Sequence, residues 1–481
     1  MQSFPFKRHP SSWLAAGAFT VLGLQLTACR VGPNYRVPAA PVPPAYTGTT
    51  TAPSSTEAAS IGAGDWWKVF DDAELNTLEQ QADAANSDIR IAVTHVDRAA
   101  AMTSYARSYL FPTVSTQPTA DRTREAQDRP NNGATSGLAS TYNDFQLPLV
   151  LNYEIDAWGR VRRTLEAARA TQQANVDDLR FVRLTAEANV AIDYFQLREN
   201  DQEMRVLDST VADLRQAYEL NQKLLQHGLV SELQVAEAKT MLDQTDASVQ
   251  TLRISRAQSE HAIAVLLGRT VEGFSIPSQP DTPAPPAIPI GLPSDLLKRR
   301  PDVLEADRAV AAATAQIGVA KAAYFPQLSL TGVVGYESSN PSTILNWQNS
   351  IAMLGASAVA PIFTGGRLHA NVEQAKATYQ SSLVQYEKTV LISYREVEDQ
   401  LSALQYLANQ QRLQGLAVKD ATETEQLATQ RFKTGLVSYL DVLTAQQTVL
   451  MDQQTDTQIA GQRMLATVVL IKALGGGWTR S

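Results

Sequence analysis

The chain's only cysteine, Cys29, is the residue whose setting most directly implies covalent chemistry. It follows Leu26-Thr27-Ala28, behind a basic start (Lys7, Arg8) and an apolar stretch from Trp13 to Leu26. Residues 1–28 therefore read as a signal peptide, and the small residues before Cys29 form a lipobox-like cleavage site. Cleavage would leave Cys29 as the first mature residue, open to lipidation. Residue 30 is Arg, not the Asp that typically retains bacterial lipoproteins in the inner membrane. A lone cysteine permits no intrachain disulfide and no cysteine metal cluster. The five histidines (His9, His95, His227, His261, His369) show no metal-ligand spacing, and the methionines are few and scattered, so no copper or silver path is expected. No phosphate-binding loop, GxGxxG after a strand, GxSxG or HExxH occurs. We expect no enzyme, no metal, and no cofactor beyond a covalent lipid on Cys29. Lys+Arg 41 against Asp+Glu 49, with no basic patch, argues against nucleic acid.

The chain is organised by a repeat. Gly228-Leu229-Val230-Ser231 returns as Gly435-Leu436-Val437-Ser438, 207 positions on. Gly159-Arg160 returns as Gly366-Arg367, and Leu267-Gly268 as Leu474-Gly475, at the same interval. This is an internal duplication, and each Gly-Leu-Val-Ser is the hinge of a helical hairpin. The glycines can take the left-handed conformation that ends a helix. Ser231 with Gln234, and Ser438 with Asp441, have capping-box spacing. The Leu-Val pair at each bend has two readings. It is a staple inside the hairpin, or an exposed apolar tip that docks a partner.

The elements follow in order. Residues 29–64, rich in Pro, Ala, Thr and Ser, read as a lipidated extended tether with no core of its own. Residues 65–270 form a first repeat. Asp65-Trp66-Trp67 opens a helix carrying Phe70, Leu75 and Leu78, and a second helical run covers about 87–109. The period then changes to two, predicting a β-hairpin over 112–158. Phe145, Leu147, Leu149, Leu151, Tyr153 and Ile155 alternate with Gln146, Pro148, Val150, Asn152, Glu154 and Asp156. The partner strand is expected near Thr113 to Arg122, across a polar loop at 130–137. A helical hairpin over 160–267 follows. Arg160 to His227 contains neither Gly nor Pro, and such a helix would reach roughly 100 Å at about 1.5 Å per residue. A Pro-rich linker, 271–293, leads to a second repeat, 294–481, with a β-hairpin over 326–365 and a helical hairpin over 367–474. Phe111-Pro112 and Phe325-Pro326 stand 214 apart rather than 207, which places seven surplus residues in the loop of the first hairpin.

Four amphipathic strands per chain cannot make an open sheet in lipid, because edge amides would lack partners in hydrocarbon. The smallest single-chain barrels need about eight strands. Several chains must therefore share one barrel. Beyond the signal peptide no apolar stretch reaches the roughly 18 residues of a membrane-spanning helix. Helices this long imply coiled-coil packing.

The sequence resembles the outer-membrane factor family, the TolC-like exit ducts of tripartite efflux systems, and within it the lipoprotein branch. The resemblance rests on Cys29-Arg30-Val31-Gly32-Pro33-Asn34-Tyr35 with Pro38, Asp65-Trp66-Trp67, Arg300-Pro301-Asp302-Val303 with Glu305-Ala306, Ala320 to Pro326, and Ala473 to Trp478. It implies an α+β membrane protein: a homotrimer sharing a twelve-stranded transmembrane β-barrel, continued by a long periplasmic α-helical barrel. It implies a lipid-anchored outer-membrane location, a periplasmic adaptor engaging Gly228, Leu229, Val230, Gly435, Leu436 and Val437, and a proton-driven inner-membrane transporter as the further partner. It also implies a pore gate at Leu440 and Asp441, where the family's duct is narrowest. Where the family often carries a second acidic residue, one turn on, this chain has Thr444; the first repeat has Leu233 and Gln234 at the equivalent positions, so any acidic gate is weakened. A cap for the helix begun by Ser438 is the other reading of Asp441. The function implied is passive export of small toxic compounds or drugs. The alternatives are the duct of a type I protein secretion system and, from another class, a structural trimeric coiled-coil surface protein. The lipobox and Gly-Pro-Asn-Tyr favour efflux over secretion, and the duplicated hairpins disfavour the stalk.

Overall fold

The computed structural model describes residues 30–46, 64–126, 141–279, 284–288 and 293–476. The signal peptide, Cys29, the turn at 130–137 and Trp478 lie outside them. In chain order the elements are a 3-10 turn (Trp66–Phe70), α1 (Ala73–Ala85), α2 (Ser87–Ser108), β1 (Thr113–Thr116), β2 (Thr119–Arg124), β3 (Thr141–Ile155), α3 (Arg160–Gln226), α4 (Glu232–Leu266), α5 (Leu296–Arg299), α6 (Pro301–Ala322), β4 (Gln327–Ser338), β5 (Ser350–Val359), α7 (Arg367–Lys433) and α8 (Tyr439–Ala473), with short 3-10 turns between some of them. Two compact units result: Met1–Pro38, Asp97–Ala174 and Asp307–Gln385 in one, Ala39–Val96, Asn175–Ala306 and Tyr386–Ser481 in the other.

The first unit holds one antiparallel sheet, ordered β1-β3-β4-β5, with β2 also on β3. Its register sorts the side chains. Ile155, Tyr153, Leu151, Leu149 and Leu147 stand opposite Leu328, Leu330, Gly332, Val334 and Tyr336. β5 adds Ala358, Ala356, Leu354 and Ala352 to the same rows, and β1 adds Val114. Directly opposed residues share a face, so one face is a continuous apolar band. Gln146, Asn152 and Glu154, with their partners Glu337, Thr331 and Ser329, lie on the other.

The strand expected from Thr113 to Arg122 is in two pieces, reaching Arg124. Both pieces keep a single register on β3, Thr116 opposite Leu149 and Thr119 opposite Gln146. The break, Gln117-Pro118, lies across from Leu147-Pro148. Two prolines withhold their N–H groups there, so the ladder cannot close. The Thr116 hydroxyl donates to the Pro148 carbonyl instead, at 2.7 Å. On its other side Pro148 faces Gly335. A Cβ at Gly335 would fall 2.7 Å from Pro148 Cα and closer still to the Leu147 carbonyl. Gly335→Ala is therefore expected to cost about 1–3 kcal/mol by overpacking, read as a lower unfolding temperature of the purified protein. An unchanged temperature would remove this account of the glycine.

The tether expected to lack a core is extended over 30–46, but its start is clamped. Val31 N–H donates to the Trp158 carbonyl at 3.2 Å. Arg163 is fully buried. Its guanidinium donates to the Val31 and Gly32 carbonyls (3.3 Å each), Asn34 Oδ1 (2.8 Å) and Glu166 Oε2 (2.9 Å). Tyr35 donates its hydroxyl to Asp307. A guanidinium's five donors match a segment rich in free carbonyls.

The second unit is built around the helical hairpins. Trp66–Phe70 is a 3-10 turn rather than the opening of a helix. Asp71 is left-handed (φ 50°), and Asp72 then caps α1 by accepting from Glu74 N (2.9 Å) and Leu75 N (3.0 Å). Trp66, buried, donates its indole N–H to Glu187 Oε2 at 2.9 Å. Glu79 is fully buried, and neither carboxylate oxygen has a hydrogen-bond partner. Burial first, then the charges of Glu187 and Asp83, hold its carboxyl well above the usual range. Burial also pushes Glu187 up to about 7, against the opposing Trp66 bond and Arg183.

Helices α3 and α7 have 67 residues each, α4 and α8 35 each. α7 runs unbroken through Gly415. Leu207, Val211 and Leu214 of α3 pack on Leu242 and Val249 of α4, with Leu450 of α8 against them. Two buried arginines, Arg198 and Arg300, each anchor a hydrogen-bond network. Arg198 donates to Asp201 and to the Pro277 carbonyl, while Arg256 bridges Asp201, Glu260 and the Ile276 carbonyl. Arg300 donates to Asp302, Glu396 and the Ala473 carbonyl at the end of α8.

Candidate functional site: the two helical-hairpin turns

Both turns are built alike. α3 ends with Gly228 left-handed (φ 69°); its N–H donates to the Leu225 carbonyl and the Leu229 N–H to Leu224, both at 2.9 Å. α7 ends with Gly435 (φ 76°), its N–H on Phe432 at 2.8 Å and the Leu436 N–H on Arg431 at 3.0 Å. This paired return closes the last carbonyls of a helix and needs a residue tolerant of positive φ. It aims the next side chain away from the helix it ends. Leu229 is 70% exposed and Leu436 75%, while Val230 and Val437 are half-buried.

The restarts differ. Ser231 Oγ accepts from Gln234 N (3.4 Å), and Gln234 Oε1 accepts from Ser231 N (3.1 Å). At the second turn Asp441 Oδ2 accepts from both Ser438 N (2.8 Å) and Ser438 Oγ (2.6 Å). These bonds hold the Asp441 carboxyl below its usual value. Asp441 thus caps α8, at the end of the helix where the dipole favours an anion. Its carboxylate remains exposed, and Leu440 beside it is 53% exposed. Thr444 spends its hydroxyl on the Leu440 carbonyl (2.9 Å).

Just inside the turns, Ala238, Tyr439, Val442 and Leu443 form a buried cluster, flanked by Tyr218, Met241, Ala428 and Phe432. It brings the first turns of α4 and α8 together, so both Gly-Leu-Val tips lie at one end of the second unit. The arrangement presents two exposed leucines over a buried apolar base, with one carboxylate nearby. It contains no nucleophile–base pair. Among the described residues there is no group of His, Cys, Asp and Glu that could hold a metal, and no helix long and apolar enough to cross a membrane. The clamp at Arg163 and the networks at Arg198–Asp201–Arg256 and Arg300 were not foreseen as working parts. Their only sequence trace was Arg300-Pro301-Asp302 and Val31-Gly32-Pro33-Asn34-Tyr35, quoted for resemblance alone.

The profile of the family described as "Outer membrane efflux protein" matches residues 78–269 and 292–476. The chain belongs to that family. Over 471 residues it is 29% identical to the cation efflux system protein CusC of Escherichia coli, covering 95% of this chain and 97% of that one. Over 473 residues it is 30% identical to the probable efflux pump outer membrane protein TtgC of Pseudomonas putida, covering 95% and 96%. Among solved structures the outer-membrane channel OprN superposes with a TM-score of 0.87 at 30% identity, over 94% of this chain and all of that one. The open-state MtrE outer membrane channel of Neisseria gonorrhoeae gives 0.81 at 27% identity, over 94% and 99%. As an outer membrane efflux protein, the chain is an efflux channel of the outer membrane.

Proposed function

We propose that this efflux channel works as a homotrimer. Three copies share a twelve-stranded β-barrel in the outer membrane and a twelve-helix periplasmic tunnel below it. The observation that carries this is the sheet: one face is apolar, and β1/β2 and β5 are open edges that hydrocarbon would not tolerate unpaired. Neighbouring copies supply the missing strands. Substrates pass passively. They are small toxic compounds or drugs, handed over by a periplasmic adaptor and an inner-membrane transporter. The Gly228-Leu229-Val230 and Gly435-Leu436-Val437 tips receive the adaptor, and Leu440 and Asp441 line the periplasmic constriction. The direct test is planar-bilayer conductance of the purified protein together with its native mass. Stepwise currents from a trimer support the reading; a trimer without currents leaves only a coiled-coil stalk.

Cys29 anchors the mature chain, in this reading, through its acyl chains; two or three such chains hold far more firmly than one. Cys29→Ser is expected to abolish incorporation of labelled fatty acid. Label persisting in that variant would end the lipoprotein reading. Mislocalisation is the weaker readout, because the barrel can hold the chain in the membrane by itself.

A further inference from the structure

The far end of the first hairpin sorts its charges by face. Residues 121–125 read Asp-Arg-Thr-Arg-Glu. Successive side chains of a strand point to opposite faces, so the pleat of β2 separates the signs. Arg122 and Arg124 stand opposite Asn143 and Thr141, which continue the row of β3 that carries the apolar band. Asp121 stands opposite Asp144, on the polar face, where Gln146 donates to Asp144 at 2.7 Å. Glu125, just past the strand, accepts from the Tyr142 hydroxyl at 3.4 Å, and Tyr142 shares that polar face. Each arginine is therefore turned away from the acid beside it in the chain. Both arginines are exposed.

The duplication fixes their depth. Shifting the leading strand by 214 positions and the returning strand by 207 turns the pair Arg122–Asn143 into Tyr336–Ser350, and these are register partners in the second hairpin. Arg122 thus lies at the level of a tyrosine, the residue type that marks a membrane–water interface. The length of the band agrees. From Ile155 to Phe145 the apolar row of β3 covers eleven positions, and a tilted strand crosses the hydrocarbon in about 9–11 residues. Arg122 pairs two positions beyond Phe145 and Arg124 four. At about 3.3 Å per residue that is roughly 7 and 13 Å farther along the strand, where hydrocarbon gives way to headgroups. β1 starts just after α2 and β3 ends just before α3, so the arginines occupy the end of the sheet away from these helices.

We propose that Arg122 and Arg124 bind the phosphate groups of the anionic glycolipid that forms the outer leaflet of the outer membrane. The occupant is a lipid headgroup, and the inference rests on the shared-barrel reading above, which puts the apolar face in lipid. The chemistry fits. A guanidinium presents a planar fork of donors that meets a phosphate in two parallel bonds. Two positions on one face of a strand stand about 7 Å apart, so both forks reach one headgroup. Carboxylates on this face would repel the phosphates, and the pleat puts Asp121 and Asp144 on the other. Asn143 and Thr141, opposite the arginines, add neutral donors. The second hairpin has Tyr336 and Ser338 in the equivalent places, so among the described residues it does not repeat the site.

The test is binding of lipopolysaccharide with and without its phosphates. The full-length protein and the double variant Arg122→Gln, Arg124→Gln are purified in mild detergent, stripped of native lipid, and titrated with intact or enzymatically dephosphorylated lipopolysaccharide. A basic residue at an anionic lipid surface contributes about fivefold to binding. The variant should therefore bind the intact glycolipid about thirtyfold more weakly. Dephosphorylation should weaken the unsubstituted protein by a similar factor and leave the variant unchanged, because both changes remove the same contact. Equal binding by protein and variant overturns the site. So does undiminished binding of dephosphorylated glycolipid by the unsubstituted protein, a comparison that stands even if the variant does not fold. A phospholipid with a photoactivatable acyl chain, reconstituted with the protein, tests the barrel separately. Labelling of the Leu147–Leu151 row without any dependence on the arginines removes the headgroup site and keeps the barrel. No labelling of that row overturns the barrel and the site together.

Discussion

In Leu436→Asp, efflux is expected to fall to the level of a strain lacking the channel, while the proposed trimer is expected to form at wild-type yield. Leu436 projects from the left-handed turn at Gly435 and is three-quarters exposed. It is no part of the Tyr439 cluster, so a carboxylate there stays hydrated and costs the fold within about 0.5 kcal/mol. Docking is different. A partner that covers the tip would have to desolvate the new charge. Even a neutral polar group buried without a partner costs about 2 kcal/mol, or roughly thirtyfold in affinity. In the proposed trimer several tips would engage at once, so the loss would multiply through every simultaneous contact. The readouts are drug resistance, adaptor crosslinking and trimer yield. Normal resistance with normal crosslinking would refute the docking role. Loss of folded protein would return the leucine to a staple inside the hairpin.

The second large effect is expected at the constriction. Around a three-fold axis, Leu440 and Asp441 would each appear in triplicate. Three exposed leucines form an apolar ring that resists wetting, and three carboxylates favour cations. Asp441 remains ionised through the physiological range, because Ser438 bonds its charged form. The sign follows. A depressed carboxyl helps the fold above its ordinary pKa, and that help is lost only as pH falls through the depressed value. Asp441→Asn keeps an acceptor for Ser438 and should lower cation selectivity in bilayers. Leu440→Ser should raise open probability. Thr444 offers no second charge, its hydroxyl being tied to the Leu440 carbonyl. Unchanged selectivity and conductance in both variants, with trimers intact, would leave Asp441 as the cap of α8 alone.

The features legible in the sequence were those set by neighbours along the chain. A glycine after a long uninterrupted run, a serine three places before Gln234 or Asp441, and a period-two row of leucines each act locally. The turns, their caps and the apolar face of the sheet could therefore be read directly. The broken first strand was within reach, since Pro118 and Pro148 were visible, but only the register places them opposite each other. The Asp72 cap was missed because the helix was read as opening at Asp65-Trp66-Trp67, where the chain makes a 3-10 turn. The arginine clamps were not legible. Arg300 and Glu396 stand 96 residues apart and Arg163 and Asn34 129, and nothing in either stretch names the other. Leu229 and Leu436 were recognised as tip residues, but the choice between staple and exposed tip needed the geometry of the glycine return.

The carboxyls packed behind Trp66 make the docking of α1 a proton-linked event. Glu79 and Glu187 both titrate above the unfolded range, Glu187 at about 7. On folding, the protein therefore takes up protons that the unfolded chain would release. Stability is fullest below the ordinary carboxyl pKa and declines as pH rises toward and past the native values. Arg183, paired with Asp83 at 2.8 Å, is the cation that Glu187 senses, and Asp65 and Asp83 add like charge. Glu79→Gln should flatten the fall in unfolding temperature as pH rises above the ordinary carboxyl range; an unchanged slope would mean the carboxyl finds a proton-independent partner. The hold on the first helix therefore follows the pH of the medium, tightening in acid and loosening in alkali.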